Sequence, residues 1–66
     1  MTMWRTEFWR RMERHLGATY ADSFAHDYVI DALGGRTVHQ ALDAGYDARA
    51  VWRAVCDVLE LPDRER

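Results

Sequence analysis

The three histidines and the single cysteine of this sequence are the first candidates for a metal site or a nucleophile. They are His15, His26, His39 and Cys56. Metal sites usually take two of their ligands from positions a few residues apart, at a short fixed spacing. None of the four has another of them so close in the chain. The spacing therefore predicts no metal site, and His39 is better explained as the surface partner of Asp43, one helical turn further on.

Catalysis by Cys56 would require a base to remove the thiol proton and a pocket to hold the substrate. No segment around Cys56 has the pattern of a nucleophile elbow, and a chain of 66 residues leaves little room for a pocket. The segment 34–37, Gly-Gly-Arg-Thr, precedes a predicted helix, whose first N–H groups could hold an anion. It lacks the further glycines and the lysine of a phosphate-binding loop. We therefore expect no catalytic residue, no cofactor and no enzymatic activity.

The most regular hydrophobic pattern of the chain predicts two helices within residues 37–61. Thr37 has a glutamine three residues later, which is the spacing of a capping box. Gly45 supplies the conformational freedom to end the first helix, and Asp47 is a suitable N-cap for the second. Apolar residues then recur every three or four positions over residues 48–59, and a proline follows residue 61. This pattern predicts a helix, a glycine turn and a longer amphipathic helix.

Two further helical regions are predicted before this hairpin. The first covers residues 7–16, with Thr6 as its N-cap. The second covers residues 18–33, as one helix or as two short ones that break at Asp22-Ser23. The apolar residues that recur at helical spacing in this second region are Ala21, Phe24, Ala25, Tyr28, Val29, Ala32 and Leu33.

Together these segments predict an all-α fold, a small single domain over residues 1–66 built as a bundle of three to five short helices. Its C-terminal hairpin resembles a helix-turn-helix unit, residues 1–5 form a lead-in, and residues 63–66 form a frayed tail. A single cysteine cannot form an internal disulfide and suits a reducing compartment. No apolar run approaches the roughly 18 residues of a membrane span, and no signal peptide is visible. We expect a cytoplasmic protein without membrane association.

Three sequence blocks resemble a known family. They are TEFWRRM at residues 6–12, LGGRTV at residues 33–38 and VWRAVC at residues 51–56. In combination they resemble the small actinobacterial family called domain of unknown function 3046, over nearly the whole chain. The family has no characterised activity and no established catalytic residue, so the resemblance implies no site. Genes of the family often lie near those for RecA and RecX, which implies a link to DNA repair or its regulation.

The first predicted helix lies in the basic part of the chain. Residues 1–17 contain four arginines and two glutamates, whereas the remainder contains five arginines and nine acidic residues. Tryptophan and arginine often dominate the binding energy of protein interfaces. We therefore predict a non-enzymatic interaction or regulatory module that binds an unknown protein partner through Trp4, Trp9, Arg10 and Arg14, with a homodimer as one form this could take. The alternative for these residues is that the tryptophans cover the core and the arginines are merely solvated.

The alternative function is nucleic-acid binding by the hairpin at residues 37–61. A small residue, a glycine and an apolar residue have the spacing of a helix-turn-helix unit. These residues are Ala41, Gly45 and Val51. The second helix of such a unit enters the major groove, where it would present Arg49 and Arg53. Two acidic residues on the same helix would be repelled by phosphates, so nucleic acid is not the favoured partner.

Overall fold

Four α-helices and two short 3₁₀ helices make up the computed structural model, which describes residues 3–65. In chain order they are α1 (Arg5–Leu16), α2 (Ala18–Asp27), the first 3₁₀ helix (Asp31–Leu33), α3 (Val38–Asp43), α4 (Ala48–Leu59) and the second 3₁₀ helix (Asp63–Glu65). Within residues 3–65 there is no β-strand, and no helix is long and apolar enough to cross a membrane. The predicted all-α fold of three to five short helices is confirmed.

The core is formed by one face of each α-helix, and α1 packs against both α2 and α4 while α3 joins α2 to α4. Its largest fully buried side chain is Trp52 of α4, which lies in the apolar stripe that the sequence predicts over residues 48–59. The other buried side chains of the helices include Phe8, Met12, Phe24, Ala25, Val38, Leu42, Val51, Val55 and Cys56. Their spacing of three and four residues places them on one side of each helix, so burial of apolar area favours this arrangement.

Local hydrogen bonds set the start of α3, as the sequence predicted. The backbone N–H of Gln40 donates to Thr37 Oγ1 at 3.2 Å, and the N–H of Thr37 donates to Gln40 Oε1 at 3.0 Å. Gly45 has a φ angle of 94°, a conformation that favours glycine and turns the chain from α3 to α4. Asp47 holds the predicted N-cap position of α4, although its side chain makes no capping hydrogen bond.

The first helix begins at Arg5, and the prediction that Thr6 caps it is wrong. Trp4 occupies the N-cap position, and its carbonyl accepts a hydrogen bond from the N–H of Phe8 at 3.0 Å. The guanidinium of Arg5 donates to the carbonyl oxygen of Leu42 at 2.9 Å. This contact ties α1 to α3, and it explains why the helix extends into the predicted lead-in. Residues 1 and 2 of that lead-in lie outside the described residues.

The second helical region is divided, but not at Asp22-Ser23, which was one of the two possibilities that the sequence left open. Helix α2 continues through these residues and ends at Asp27. Beyond it the chain is extended, and the N–H of Ile30 donates to the carbonyl of Arg36 at 3.0 Å in an isolated antiparallel bridge. The bridge closes a short loop that contains the first 3₁₀ helix.

Three residues of the predicted apolar stripe are exposed because α2 ends before it reaches them. These residues are Tyr28, Val29 and Ala32. The extended backbone after α2 no longer follows the helical period on which the prediction depended. The segment after α2 thus supplies Ile30 and Leu33 to the core, while Tyr28, Val29 and Ala32 lie on the surface.

The C-terminal end of the chain differs from the predicted frayed tail. Helix α4 ends at Leu59, and residues 63–65 form the second 3₁₀ helix, which packs back on the core. The indole Nε1 of Trp52 donates to the carbonyl oxygen of Glu65 at 2.8 Å. A buried indole N–H needs an acceptor, and this turn supplies it. Residue 66 of the predicted tail lies outside the described residues.

Candidate functional site

The arginines of α1 at positions 10, 11 and 14 are paired with carboxylates. Arg10 donates to Glu7 Oε1 at 3.2 Å, and Arg11 donates to Glu7 Oε2 at 2.9 Å. Arg14 donates to Glu65 Oε2 at 3.0 Å. The hydrogen bond from Arg11, followed by the charges of the nearby guanidinium groups, holds the pKa of Glu7 below its usual value. These pairs reduce the net positive charge that α1 presents, while the guanidinium groups of Arg10 and Arg14 stay exposed.

The two tryptophans of the predicted patch lie in different environments. Trp4 is the more exposed, with 79% of its surface accessible. Trp9 is half-buried, with its ring 5.3 Å from Phe8 in an edge-on arrangement and 5.2 Å from the imidazole of His39. Trp9 therefore faces α3. Positions 9 and 14 of a helix are separated by about 140° around its axis, so Trp9 and Arg14 point to different sides of α1.

The arginines of the nucleic-acid alternative lie on α4, where Arg53 is exposed and Arg49 is half-buried. The hairpin that carries them has two arginines and four acidic residues. The acidic residues are Asp43, Asp47, Asp57 and Glu60. This balance makes the hairpin a weak attractor of phosphate groups.

A cleft of about 280 Å³ opens where α1, α2 and α3 meet. Its lining residues are Trp9, Glu13, Ala18, Ala21, Asp22 and His39. The helices α1 and α2 are joined by Gly17 alone, whose φ angle of 81° lets the chain turn sharply between them. The cleft is thus bordered by two carboxylates and one imidazole, together with the indole of Trp9.

Asp22 and His39, which line this cleft, meet a second imidazole, that of His26. The rings of His26 and His39 lie 3.9 Å apart between centroids at an angle of 33°. Nδ1 of His26 lies 3.0 Å from the carbonyl oxygen of Asp22 and 3.5 Å from its carboxylate oxygen Oδ1. Nε2 of His39 is buried and has no hydrogen-bond partner among the described residues. The ligand atoms of these three residues all lie within 4.8 Å of one another.

Sequence reasoning missed this cluster. Its one visible signal is that Asp22 and His26 are four residues apart, which places them on the same face of α2. His39 comes from a different helix, and only the packing of α2 against α3 brings it to the other two. The predicted pairing of His39 with Asp43 does not occur among the ion pairs of the described residues.

The remaining histidine, His15, lies in the last turn of α1, about 120° around the helix axis from Trp9. Its ring is 5.9 Å from that of Trp52, and its Nε2 is 3.5 Å from Glu65 Oε2. The thiol of Cys56 is buried in the same region, where its sulphur lies 3.8 Å from the carbonyl oxygen of Glu65. The C-terminal 3₁₀ helix covers this group of residues.

An exposed apolar ridge runs along α2 and the extended segment after it. Phe24 stacks on Tyr28 at 4.9 Å between centroids and 15° between planes, and Tyr20 lies 6.4 Å from Phe24 on the other side. Tyr20, Tyr28 and the neighbouring Val29 are large and exposed. Shallow clefts border the ridge on both sides of Tyr28. The sequence placed Tyr28 and Val29 in the core, so this surface was not predicted.

A protein-family model described as "Protein of unknown function (DUF3046)" matches residues 3–64 of the chain. The match spans both the histidine cluster and the apolar ridge. Neither the curated proteins nor the solved structures contain a significant match.

Proposed function

The chain belongs to the DUF3046 family of proteins of unknown function, as its sequence blocks predicted, and we propose that it is a non-enzymatic module that binds a protein partner. The observation that carries the proposal is the exposure of Trp4, which leaves 79% of its surface in water while Trp52 is fully buried. Covering an exposed tryptophan removes a large apolar area from water and contributes strongly to affinity. Trp4 is therefore the anchor of the proposed interface.

The chemistry of the partner follows from the side chains around α1. Arg10 and Arg14 are exposed and pair with carboxylates of this chain. Exposed ion pairs of this kind contribute little to stability, so acidic side chains of a partner can replace the internal carboxylates at small cost. The proposed partner has an apolar pocket for Trp4 with acidic residues at its rim. A second copy of this chain is one form of such a partner, because the chain itself is acidic outside α1.

The non-enzymatic part of the proposal is supported by the position of Cys56. The thiol is buried in the core, where a substrate does not reach it. A single buried cysteine also fits the reducing conditions of the cytoplasm, where we propose that the protein acts.

The test is capture of partners on immobilised protein, with substitutions at matched exposed positions. We expect Trp4→Ala and Arg10→Ala to reduce capture of a specific partner at least tenfold, since both remove interface side chains and leave the core intact. Tyr20→Ala is the control for the aromatic substitution, and Arg53→Ala is the control for the arginine substitution. Far-ultraviolet circular dichroism checks that each variant keeps its helices.

The proposal fails if Trp4→Ala and Arg10→Ala capture the same partner as the unaltered protein. Loss with Tyr20→Ala instead would move the interface to the apolar ridge on α2. Sedimentation of the purified protein separates the homodimer from a different partner, because only the homodimer forms without other components.

Nucleic-acid binding by α3 and α4 is the second candidate, and the observation that favours it is the exposed Arg53 on a helix that follows the turn at Gly45. The family's gene neighbourhood gives this candidate its link to DNA repair. Anisotropy of labelled duplex DNA at 50 and 200 mM salt provides the test, since binding through phosphates weakens steeply as salt rises, on the order of tenfold or more. Arg49→Ala and Arg53→Ala should each weaken binding. Absence of binding at the lower salt concentration would dismiss this candidate.

A further inference from the structure

We propose that Asp22, His26 and His39 form a binding site for a divalent transition metal ion, with Zn²⁺ as the best match, and that the ion joins α2 to α3. The proposal stands independently of the partner-binding function. It depends on the convergence of two imidazoles and a carboxylate, whose ligand atoms lie within 4.8 Å of one another.

The fold brings the three side chains together by two separate means. Asp22 and His26 are one turn apart on α2, so the helix itself places them on one face. The capping box at Thr37 fixes where α3 begins, and the packing of α3 against α2 then sets His39 beside His26. The ring centroids of the two histidines are 3.9 Å apart. Neither helix could form the site alone.

The three ligand atoms lie within 4.8 Å of one another, so side-chain adjustment is needed to bring them to the spacing of a metal centre. Two ligand atoms bound to one tetrahedral Zn²⁺ are separated by about 3.4 Å, given metal–ligand bonds of about 2.0–2.2 Å. Oδ1 of Asp22 and Nδ1 of His26 are 3.5 Å apart. Nδ1 also lies 3.0 Å from the carbonyl oxygen of Asp22, so binding an ion through Nδ1 breaks that hydrogen bond and releases its proton. The side chains of Asp22 and His26 are 74% and 55% exposed, so both can adjust their rotamers around an ion. His39 is half-buried and supplies the fixed side of the site.

The imidazole of His39 also has an unused ring nitrogen. Its Nε2 is buried and has no hydrogen-bond partner within residues 3–65. A buried polar atom without a partner is unfavourable, and the large majority of such atoms in proteins are paired. The ion of the proposed site binds this same imidazole through one of its two ring nitrogens.

The ligand set selects the class of metal. Imidazole nitrogens together with one carboxylate suit Zn²⁺ and related ions such as Ni²⁺ and Cu²⁺. Mg²⁺ and Ca²⁺ prefer six or more oxygen ligands, which this cluster does not offer. The carboxylate of Glu13 lines the same cleft and adds negative charge near the ion. Three protein ligands leave a fourth position of Zn²⁺ for water or for a side chain of another molecule.

The test is titration of tag-free protein with zinc chloride, followed by calorimetry and thermal unfolding. At free zinc about 100-fold above the dissociation constant, we expect the melting temperature to rise by about 20 °C, because the ion binds the folded chain and joins two helices. Magnesium chloride at the same concentration should leave the melting temperature unchanged. Absence of zinc binding by the unaltered protein would overturn the proposal.

The three histidines provide matched variants that locate the ion. We expect His26→Gln and His39→Gln to weaken zinc binding at least about tenfold. His15→Gln should bind zinc like the unaltered protein, because His15 lies beside Glu65 and Trp52, outside the cluster. Unchanged affinity in His26→Gln would refute the site, and that residue is exposed, so its replacement leaves the fold intact. Independently of any variant, nuclear magnetic resonance of the unaltered protein should show zinc-dependent shifts for the ring protons of His26 and His39, and none for His15.

Discussion

His15 and His39 are both half-buried histidines, and each lies against a tryptophan with an angle of 35° between the ring planes. In both, Nε2 is buried and makes no hydrogen bond within the part of the chain that the structure describes. They differ in the polar groups that lie beside the imidazole. His15 lies 3.5 Å from a carboxylate oxygen of Glu65, whereas His39 faces a second imidazole and the carboxylate of Asp22.

This difference shows that the groups around a half-buried imidazole decide whether it can bind an ion. We call His15, Trp52 and Glu65 the closed site, because the C-terminal 3₁₀ helix covers them. We call Asp22, His26 and His39 the open site, because Asp22 and His39 line a cleft. The closed site holds the chain end against the core, while the open site has the ligands and the access that an ion needs.

The largest effect is expected from the two tryptophans that support the sites. Trp52→Ala should lower the free energy of unfolding by about 3–5 kcal/mol, because it empties a fully buried volume in the core. Trp9→Ala should lower the free energy of unfolding by less than half that amount, because Trp9 is only half-buried. Urea denaturation followed by circular dichroism measures both values. Equal losses of unfolding free energy in the two variants would contradict the distinction between a closed and an open site.

Removal of the closing turn should have the next largest effect. A chain that ends at Pro62 leaves the indole N–H of Trp52 without the carbonyl of Glu65, which accepts from it at 2.8 Å. Truncation removes this hydrogen bond and also the apolar cover over the indole, which together should cost about 1–3 kcal/mol. Glu65→Gln keeps the carbonyl and is the matched control, with an expected loss within about 1 kcal/mol. If truncation costs no more than Glu65→Gln, the turn does not stabilise the closed site.

A smaller effect distinguishes the histidines themselves in the absence of metal. His39→Phe should be neutral or slightly stabilising, because an apolar ring replaces one with an unpaired buried nitrogen. His15→Phe should be less stable than His39→Phe by about 1 kcal/mol, since it sets an apolar ring against the carboxylate of Glu65. Denaturation in the presence of a chelator provides both values. The same change in both variants would remove the distinction between the sites.

The closed and open sites also differ in how much of each the sequence reveals. Apolar spacing in α4 predicts the burial of Trp52, because burial of apolar area is what favours that helix. The acceptor for its indole N–H comes from residue 65, thirteen positions later and beyond a proline, and no local pattern announces that contact. The docked chain end was therefore predicted to fray.

The open site was missed for a related reason. Local physics places Asp22 and His26 on one face, but His39 reaches them only through the packing of α2 on α3. The same limit applies at the start of α1, where a contact between Arg5 and Leu42 overrides the weaker signal of a Thr6 cap. Periodicity and capping are local and could be read from the sequence, whereas contacts between helices depend on the assembled fold.

The smallest expected effect concerns Glu7, on the helix that carries both Trp9 and His15. The hydrogen bond from Arg11 lowers the pKa of Glu7 in the folded state, so its contribution to stability is present above the unfolded pKa and is lost as pH falls through the folded one. Arg11→Gln should raise the pKa of Glu7 toward its usual value, measured by nuclear magnetic resonance of the carboxyl carbon. The difference in unfolding free energy between the unaltered protein and Arg11→Gln should then become smaller at acidic pH, because Glu7 is protonated in both. If the pKa of Glu7 is the same in Arg11→Gln as in the unaltered protein, the hydrogen bond from Arg11 does not stabilise α1.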